Sequence, residues 1–567
     1  MSIKKEVKKW LLAPFDSETQ ENVRALQKKP KLLEDAFYTH LEFGTGGMRG
    51  LMGVGTNRIN KYTLGKNSQG ISQYLKNTFP NKEIKVVIAY DCRNQSQSLA
   101  ETCASVFTAN GIHCYLFNEL RPTPELSFAV RYLKAQAGIV LTASHNPPEY
   151  NGYKVYSNDG GQLVPPEDQN IQKVIENTPF EAIEFKGNPE LLHKIDSEID
   201  IPYQQSVLKV ALQSKHKKNL RIVFTPLHGT SITLFPTILK NAGYDDLHIV
   251  SEQAQPDGNF STVNSPNPEE KEALALAVQK GTDVNADIVL GTDPDADRLG
   301  VVIRDLNSNW YYLNGNQVMV VLTEYLLQKK KESETLTSNH FIATTVVSTP
   351  MIKKIASSFN IQFKSTLTGF KWIGKLIQEH PELEFIGGGE ESYGYLVGNE
   401  VRDKDALSTG LLACEIAESA KTSGRSLFHL LLECYQKYGA FKERLVSITK
   451  EGKKGLKLIA DLMTNFRNNP PKSLGGFLVV RIEDYLTSIS IDTISGQKTT
   501  LFYPQSNVLK IVLSEGSEIA LRPSGTEPKI KFYFSVQETY NPNVPWEIQE
   551  THLDQKIDLL VSEIVPE

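Results

Sequence analysis

Three aspartates stand at alternate positions in the segment GTDPDADRLG, namely Asp293, Asp295 and Asp297. The apolar run ADIVL precedes them, which predicts a loop after a buried strand. Three carboxylates on one short loop repel one another unless a hard divalent cation binds between them. An EF-hand is excluded, because Arg298 and Arg304 occupy the positions of its glycine and its last glutamate. The spacing predicts an open metal site in which Arg298 faces a phosphate; the alternative is a solvated acidic turn.

A candidate phosphate-carrying residue, Ser144, lies in the segment TASHNPPEYNGYKVY, directly after the apolar run GIVL. Open α/β sheets bind ligands beyond the carboxyl ends of their strands, which is where this loop is expected. Its prolines and asparagines predict a rigid loop that holds one hydroxyl in place. His145 is adjacent, and Lys154 is far enough along the chain to fold back as a proton carrier or phosphate partner. The alternative is a proline-rich surface turn with an incidental serine.

A glycine-rich segment, GGGEESYGY, follows a third strand pattern. Glycines let the backbone approach a ligand, and Glu390 with Ser392 can form hydrogen bonds to adjacent sugar hydroxyls. By itself this pattern is also typical of a plain turn. Neighbouring loops supply further polar groups, namely Thr368 and Gly369 upstream and Arg402 and Lys404 downstream.

A fourth loop, LRPSGTEPK, joins two predicted strands. Its polar residues are Arg522, Ser524, Gly525, Thr526 and Lys529. Hydroxyls, backbone N–H groups and a guanidinium in one tight turn are suited to holding a phosphate dianion. The loop has no group suited to act as a nucleophile's base, so it is expected to bind rather than react. The alternative is an ordinary hairpin turn.

Near the start of the chain, FGTGGMRG carries Arg49 in another glycine-rich loop. The G-x-x-x-x-G-K-[ST] spacing of a P-loop is absent, so a nucleoside triphosphatase has no support here. The G-x-S-x-G nucleophile elbow of an α/β-hydrolase is also absent.

These loops alternate with β-strand and helix patterns. Apolar runs such as KVVIAY, LRIVF and HFIATT, separated by helical stretches, recur in three blocks and predict three related α/β domains. The last hundred residues contain more alternating strands and a final helix, which favours a smaller α+β domain. The predicted domains are 1–202, with N-terminal helices and the Ser144 loop, 203–315, with the carboxylate loop, 316–453, with the Glu390 loop, and 454–567, with the Arg522 loop.

The chain has 567 residues, 40% hydrophobic and 22% charged, with a net charge of -5. This composition is that of a globular protein of several domains and argues against a nucleic-acid binder held by a basic field. Five cysteines without a C-x-x-C pair, namely Cys92, Cys103, Cys114, Cys414 and Cys434, indicate a reducing compartment. Signal-peptide and membrane-span patterns are absent, so we expect a cytoplasmic protein that does not bind membranes.

The four loops, in this order, resemble those of the α-D-phosphohexomutase superfamily, which contains the phosphoglucomutases and phosphomannomutases. The resemblance covers nearly the whole chain, with TASHNP, DPDADR, GEESYG and RPSGTEP as its motifs and FGTGGMRG as its opening. It implies four domains around a central cleft, with mixed sheets in the first three.

The resemblance also implies roles for individual residues. Ser144 matches the serine that carries the transferable phosphate. Its phosphate and Asp293, Asp295 and Asp297 match the Mg²⁺ ligands. Positions for sugar recognition are matched by Glu390 and Ser392, with Thr368 and Gly369 on the neighbouring loop. The loop that binds the substrate's non-reacting phosphate is matched by Arg522, Ser524, Gly525 and Thr526. Basic positions of the active site are matched by Arg49, His145, Lys154, Arg298 and Lys404.

On this basis glucose 1-phosphate and glucose 6-phosphate are the expected substrates, and glucose 1,6-bisphosphate is the expected activator. Phosphopentomutase and phosphomannomutase activities stay open as alternatives with the same mechanism. Two alternatives from other classes are a phosphatase with Asp293 as nucleophile and a non-catalytic sugar-phosphate-binding protein. Small sugar phosphates are the only partners expected, without nucleic acid and without an obligate protein partner.

Overall fold

The structure is a computed structural model that describes residues 2–41, 47–212, 218–450, 452–524 and 529–566. Two compact units make up the chain. The first comprises Met1–Val318 and Phe370–Leu427, and the second comprises Met319–Gly369 and Phe428–Glu567. None of the described helices combines the length and the apolar character needed to cross a membrane.

The first unit begins with three helices followed by a mixed six-stranded sheet. Its elements are α1 (Ile3–Lys9), α2 (Ser17–Gln27), α3 (Pro30–Phe37), β1 (Gly47–Leu51), α4 (Lys61–Thr78), β2 (Lys85–Tyr90), α5 (Ser96–Ala109), β3 (His113–Phe117), α6 (Thr123–Tyr132), β4 (Ala137–Leu141), β5 (Tyr150–Ser157), α7 (Glu167–Asn177), β6 (Leu192–Ile195) and α8 (Ser197–Leu208). The strand order is β1-β5-β4-β2-β3-β6. Strands β4, β2, β3 and β6 are parallel, whereas β5 runs antiparallel to both β4 and β1.

The apolar runs account for this sheet. All five residues of β4 are buried, as are five of the six in β2, which is typical of strands covered on both faces. The three N-terminal helices form a small core of their own, in which Trp10 is fully buried and stacks on Phe15 with ring centroids 4.3 Å apart. Tyr62 of α4 belongs to the same core, so these helices pack on the first sheet domain as predicted.

The next block forms a five-stranded mixed sheet. Its elements are β7 (Ile222–Thr225), α9 (Phe235–Asn241), β8 (Leu247–Ile249), α10 (Ser251–Ala254), α11 (Ala275–Asp283), β9 (Ile288–Thr292), β10 (Leu299–Arg304) and β11 (Trp310–Leu313). The order is β11-β10-β9-β7-β8, with β7, β8 and β9 parallel and β10 and β11 added antiparallel. Short 3₁₀ segments occur at Phe180–Ala182, Pro189–Leu191 and Thr230–Thr233.

The third block is divided between the two units. Its elements are α12 (Gly315–Glu332), β12 (His340–Thr345), α13 (Met351–Ser358), β13 (Gln362–Thr366), α14 (Lys371–Glu379), β14 (Glu384–Glu390), β15 (Gly394–Val397), α15 (Ala406–Thr422) and α16 (Leu427–Tyr438). In the first unit, β14 pairs antiparallel with β15. In the second unit, β12 pairs parallel with β13.

The last block, in the second unit, is an antiparallel sheet with two helices. Its elements are β16 (Ala440–Thr449), α17 (Gly452–Asn468), β17 (Ser473–Leu474), β18 (Phe477–Asp484), β19 (Ile489–Asp492), β20 (Lys498–Thr500), β21 (Leu509–Leu513), β22 (Glu518–Pro523), β23 (Lys529–Glu538) and α18 (Trp546–Ile564). The order is β16-β23-β22-β21-β18-β19-β20, with β17 beside β18. The predicted α/β class and the smaller C-terminal α+β domain are therefore confirmed.

Candidate active site

The three aspartates lie on the loop between β9 and β10, where the sequence places them. Asp293 and Asp295 are completely buried, and Asp297 is nearly so. One carboxylate oxygen from each lies within 4.8 Å of the others. Ala296 closes the turn in the left-handed region, with φ of 57°. A loop of alternating residues thus turns all three carboxylates toward one point.

The hydrogen bonds of these carboxylates leave two oxygens without a partner. Oδ1 of Asp293 accepts from the backbone N–H groups of Asp297 and Arg298, at 3.1 and 3.0 Å. Oδ2 of Asp295 accepts from the hydroxyl of Thr123 at 2.9 Å. Oδ1 of Asp295 and Oδ1 of Asp297 are buried and have no hydrogen-bond partner among the described residues. Buried polar atoms normally have partners, and carboxylate oxygens are the preferred ligands of hard divalent cations, so the triad fits such a metal.

Ser144 lies on the loop after β4 and meets the aspartate loop. Its backbone has φ of 52°, an uncommon conformation for a residue with a side chain, and its N–H donates to Oγ1 of Thr142 at 2.8 Å. Its Oγ donates to Oδ2 of Asp293 at 2.7 Å and lies 3.1 Å from Nδ1 of His145. A Cβ on Gly152 would lie 2.3 Å from the Thr142 carbonyl oxygen, so glycine is required there. The hydroxyl is thereby fixed against the carboxylates.

Arg93 holds the Ser144 loop and was not selected from the sequence. Its guanidinium donates to four carbonyl oxygens of the loop, those of Ser144 (2.6 Å), Pro147 (2.8 Å), Tyr150 (2.9 Å) and Asn146. Its Nε lies 3.4 Å from Oδ2 of Asp91, and its guanidinium carbon lies 5.0 Å from the ring centroid of Phe260. The available sequence signal was an arginine two positions after an aspartate at the end of strand β2.

Two lysines neutralise the aspartate loop. Nζ of Lys154 lies 2.6 Å from Oδ2 of Asp295 and 3.4 Å from Oδ2 of Asp297. Nζ of Lys404 lies 3.2 Å from Oδ2 of Asp297 and 2.9 Å from Oδ1 of Asp403. Burial alone would lower the pKa of Lys404, but these two carboxylates raise it, so the ammonium stays charged. Lys154 reaches the site because β5 returns antiparallel beside β4.

The carboxylates themselves differ in their affinity for protons. Burial, followed by the charges of Asp295 and Asp297, raises the pKa of Asp293 well above its usual value. Burial would also raise the pKa of Asp295, but Lys154 and the hydrogen bonds to this side chain hold it below the usual range. Without a cation between them, the three carboxylates therefore favour keeping a proton on Asp293.

The remaining basic residues of the prediction differ in charge and exposure. Arg298 is paired with Glu269, and although burial opposes its charge, the nearby carboxylates raise its pKa. Burial, together with Arg298 and Arg49, lowers the pKa of His145 from 6.5 to about 2. The imidazole of His145 is therefore neutral at pH 7 and serves as a hydrogen-bonding group rather than a cation. Arg49 lies on β1 and is exposed.

The glycine-rich loop GGGEESYGY adjoins the aspartate loop. Glu390 is the last residue of β14 and is 6% exposed, and Ser392 is half-buried in the turn that follows. The N–H of Leu299 donates to the carbonyl oxygen of Tyr393 at 3.0 Å, which ties this turn to the start of β10. The first unit therefore assembles three of the four predicted loops.

The other predicted residues belong to the second unit. The hydroxyl of Thr368 is buried without a hydrogen-bond partner among the described residues, and Gly369 has φ of 112°. Arg522 lies on β22, and the N–H of Ser524 donates to the carbonyl oxygen of Lys529 at 2.7 Å. Two residues predicted for this loop, Gly525 and Thr526, lie outside the described residues.

Three domain models of one known family match this chain. Residues 40–182, 202–307 and 314–438 match, in order, the models of alpha/beta/alpha domains I, II and III of phosphoglucomutase/phosphomannomutase. The chain therefore belongs to the phosphoglucomutase/phosphomannomutase family, the class of phosphohexomutase isomerases that the four loops predict.

Two relatives of this chain are named phosphoglucomutases. The chain is 40% identical to a phosphoglucomutase of Staphylococcus epidermidis over 512 residues, which are 89% of this chain and 92% of the relative. It is 39% identical to a phosphoglucomutase of Staphylococcus aureus, over 89% of this chain and 91% of that one.

Solved structures show the same fold. Parafusin, a phosphoglucomutase from Paramecium crystallised in an open form, matches with a TM-score of 0.67 and 18% identity, over 93% of this chain and 95% of its own. A phosphoglucomutase/phosphomannomutase family protein from Burkholderia thailandensis matches with a TM-score of 0.66 and 18% identity, over 92% of this chain and 97% of its own.

Proposed function

We propose that this protein is a phosphoglucomutase that interconverts glucose 1-phosphate and glucose 6-phosphate through a phosphorylated Ser144. The observation that carries the proposal is the position of the Ser144 hydroxyl, buried and 2.7 Å from Oδ2 of Asp293 at the edge of the carboxylate cluster. The names of the staphylococcal relatives support glucose phosphate as the substrate.

The resident metal is proposed to be Mg²⁺. Asp293, Asp295 and Asp297 would hold it, together with the phosphate on Ser144. The two orphaned carboxylate oxygens support this assignment, since Mg²⁺ takes oxygen ligands. When bound, Mg²⁺ supplies charge neutralisation for the transferring phosphoryl group.

The residues of the chain position the reacting groups and move a proton. In the first transfer, the bond between phosphorus and Oγ of Ser144 breaks and a bond to the free hydroxyl oxygen of the sugar phosphate forms, which gives a bisphosphate; the proton of that hydroxyl passes to Oγ of Ser144. In the return transfer, Oγ of Ser144 takes the other phosphate, and its proton passes to the sugar oxygen that loses this phosphate. Nδ1 of the neutral His145 lies 3.1 Å from Oγ and orients the hydroxyl, but its pKa of about 2 is too low for the imidazole to hold the proton itself. Lys154, Lys404, Arg298 and Arg49 supply positive charge for the phosphoryl oxygens.

Substrate recognition is proposed to come from the other loops. Glu390 and Ser392 would accept and donate hydrogen bonds to sugar hydroxyls, and Thr368 and Gly369 are proposed to contribute to substrate binding. The non-reacting phosphate would be held by Arg522, Ser524, Gly525 and Thr526. One such loop would come from each proposed domain: 1–202, 203–315, 316–453 and 454–567. Glucose 1,6-bisphosphate is the proposed activator, because an unphosphorylated Ser144 must be recharged. The cytoplasmic location and the absence of an obligate protein partner stay predictions.

An aspartyl-nucleophile phosphatase has less support from the geometry. Both oxygens of Asp293 are engaged, one by two backbone N–H groups and the other by Ser144. A nucleophilic carboxylate needs one oxygen directed at the substrate. Asp293 is therefore better suited to holding the loop and the metal than to attacking phosphorus.

The deciding experiment is a coupled assay that follows formation of glucose 6-phosphate from glucose 1-phosphate with Mg²⁺ and a catalytic amount of glucose 1,6-bisphosphate. Mannose 1-phosphate and ribose 1-phosphate run in parallel. Turnover highest with glucose 1-phosphate supports the proposal. A preference for ribose 1-phosphate or mannose 1-phosphate would keep the mechanism and change the substrate to that of a phosphopentomutase or phosphomannomutase. Release of inorganic phosphate without isomerisation would reject a mutase.

A further inference from the structure

A polar cavity lies on the first unit, away from Ser144. It has a volume of about 300 Å³, and its lining includes Arg131, Lys134, Asp159 and Arg402. Arg131 lies in the last turn of α6, and Lys134 precedes the start of β4. Ser144 follows the opposite end of β4, and a strand of five residues spans about 16 Å. The cavity therefore lies near the amino-terminal end of β4, and the candidate active site lies near its carboxyl-terminal end.

Two guanidinium groups are held together at this cavity by a single acceptor. Arg131 and Arg402 both donate through Nη1 to the carbonyl oxygen of Asn399, Arg402 at 2.6 Å. Two like charges on one neutral oxygen repel each other. Burial and the charge of Arg131 accordingly lower the pKa of Arg402 to about 10. The arrangement holds two positive charges close together at the cavity.

The carboxylates near the two arginines, Asp159 and Glu400, favour their charged forms without a close contact. In the part of the chain that the structure describes, no carboxylate forms an ion pair with Arg131 or Arg402. Arg402 is only 8% exposed, and its Nε is buried without a hydrogen-bond partner among those residues. Asp159 also lines the cavity, but one of its oxygens accepts from the N–H of Gly161 at 2.9 Å. Three cations thus face two carboxylates, Asp159 and Glu400, which leaves an excess of positive charge.

We propose that this cavity is a binding site for a phosphate dianion, either free or as part of a small phosphate monoester, held by Arg131, Arg402 and Lys134. A dianion placed against both guanidiniums would offset their repulsion. Guanidinium groups bind phosphate through paired N–H donors, and a lysine adds a point charge. The volume is at the lower limit of small-molecule pockets, roughly 300–1,000 Å³, so the ligand is a small metabolite or the inorganic ion.

The site is also connected to the candidate active site through the chain. Arg402 is followed directly by Asp403 and Lys404, and Lys404 pairs with Asp297. The N–H of Arg402 donates to the hydroxyl of Ser127 at 2.9 Å, which fixes this segment against α6. The binding proposal does not depend on the catalytic one, because it concerns different side chains.

The test is calorimetric titration of the full-length protein with inorganic phosphate and, separately, with glycerol 3-phosphate. The wild type is compared with Arg131→Gln, with Lys134→Gln and with Arg24→Gln, a control on the exposed face of α2 that removes the same charge elsewhere. We expect one binding event of the wild type to weaken at least about 10-fold in Arg131→Gln, several-fold in Lys134→Gln, and not in Arg24→Gln.

The comparison between variants separates this site from any phosphate bound at the candidate active site, which all four proteins share. If Arg131→Gln and Lys134→Gln lose the binding of both probes, the site accepts phosphate monoesters. If they lose only the binding of inorganic phosphate, the site is specific for the free ion. Equal binding by wild type, Arg131→Gln and Lys134→Gln would overturn the proposal. Lys134 is exposed, so its variant keeps the test decisive if Arg131→Gln folds poorly.

Discussion

The hydroxyl oxygen of Ser144 lies 2.7 Å from Oδ2 of Asp293, although the two residues are 149 positions apart in the chain. A phosphoryl group attached to that oxygen would carry about two negative charges beside a cluster of three carboxylates. Such a group is tolerated only where cations offset the repulsion. The cations that the structure provides are Lys154, Lys404 and Arg298, and the orphaned oxygens of the triad leave room for a metal.

Replacing the Ser144 hydroxyl should abolish phosphoryl transfer while leaving the fold intact. In Ser144→Ala, we expect glucose 1-phosphate turnover to fall by roughly 10³-fold or more, because the hydroxyl proposed to carry the phosphate is removed. Peptide mapping by mass spectrometry after incubation with glucose 1,6-bisphosphate should find the phosphate on the Ser144 peptide of the wild type and of Ser98→Ala, an exposed control on α5. Phosphate on the Asp293 peptide instead would favour the aspartyl-phosphatase alternative.

Magnesium should stabilise the wild type through the aspartate triad. A ligand at 100 times its Kd adds about 2.7 kcal/mol to the free energy of unfolding. We expect Mg²⁺ to raise the Tm of the wild type and of Glu21→Gln, a surface control on α2, and to have little effect on Asp295→Asn or Asp297→Asn. Differential scanning calorimetry with Mg²⁺ and with a chelator measures this directly. An equal Tm rise in the triad variants would place the metal elsewhere.

Arg93 should act as a positioning residue for Ser144. In Arg93→Lys the charge stays, but a lysine cannot donate to four separate carbonyl oxygens as the planar guanidinium does. We expect kcat to fall by roughly 10- to 100-fold with a smaller change in KM, because the loop that carries the phosphate is loosened while the sugar loop is untouched. Arg24→Lys is the matched control. A rise in KM alone would show that Arg93 serves substrate binding instead.

Glu443 on β16 should make stability depend on pH. Burial raises its pKa from 4.5 to about 7, so between these values the folded state binds more protons than the unfolded state and stability falls as pH rises. In Glu443→Gln this fall in stability with rising pH is removed. We expect the variant to be more stable than the wild type by roughly 3 kcal/mol at pH 8 and the two to be about equally stable at pH 4. Urea denaturation at both pH values measures this difference in the free energy of unfolding. An equal stabilisation at pH 4 and pH 8 would assign the effect to packing.

The sequence identified those parts of the site that are contiguous in the chain. The carboxylates at positions 293, 295 and 297 share one loop, so their spacing alone predicts that they converge. The same holds for the Ser144 loop, which the apolar run before it places at the end of a strand. Family membership followed from four such local motifs in order, and the family models confirm it.

The tertiary structure determined the contacts that join distant segments. Lys154 and Asp295 are 141 positions apart, and their contact requires β5 to return antiparallel beside β4 in one register. A shift of that register by one residue would turn Lys154 to the other face of the sheet, so no local pattern can predict the contact. The same reason applies to Arg93, whose four acceptors lie 51 to 57 positions away. The neutral state of His145 likewise depends on burial and on Arg298 and Arg49, which the fold brings close. The sequence by itself thus determined which loops are expected to form the site, and the packing of the strands decided which side chains contact them.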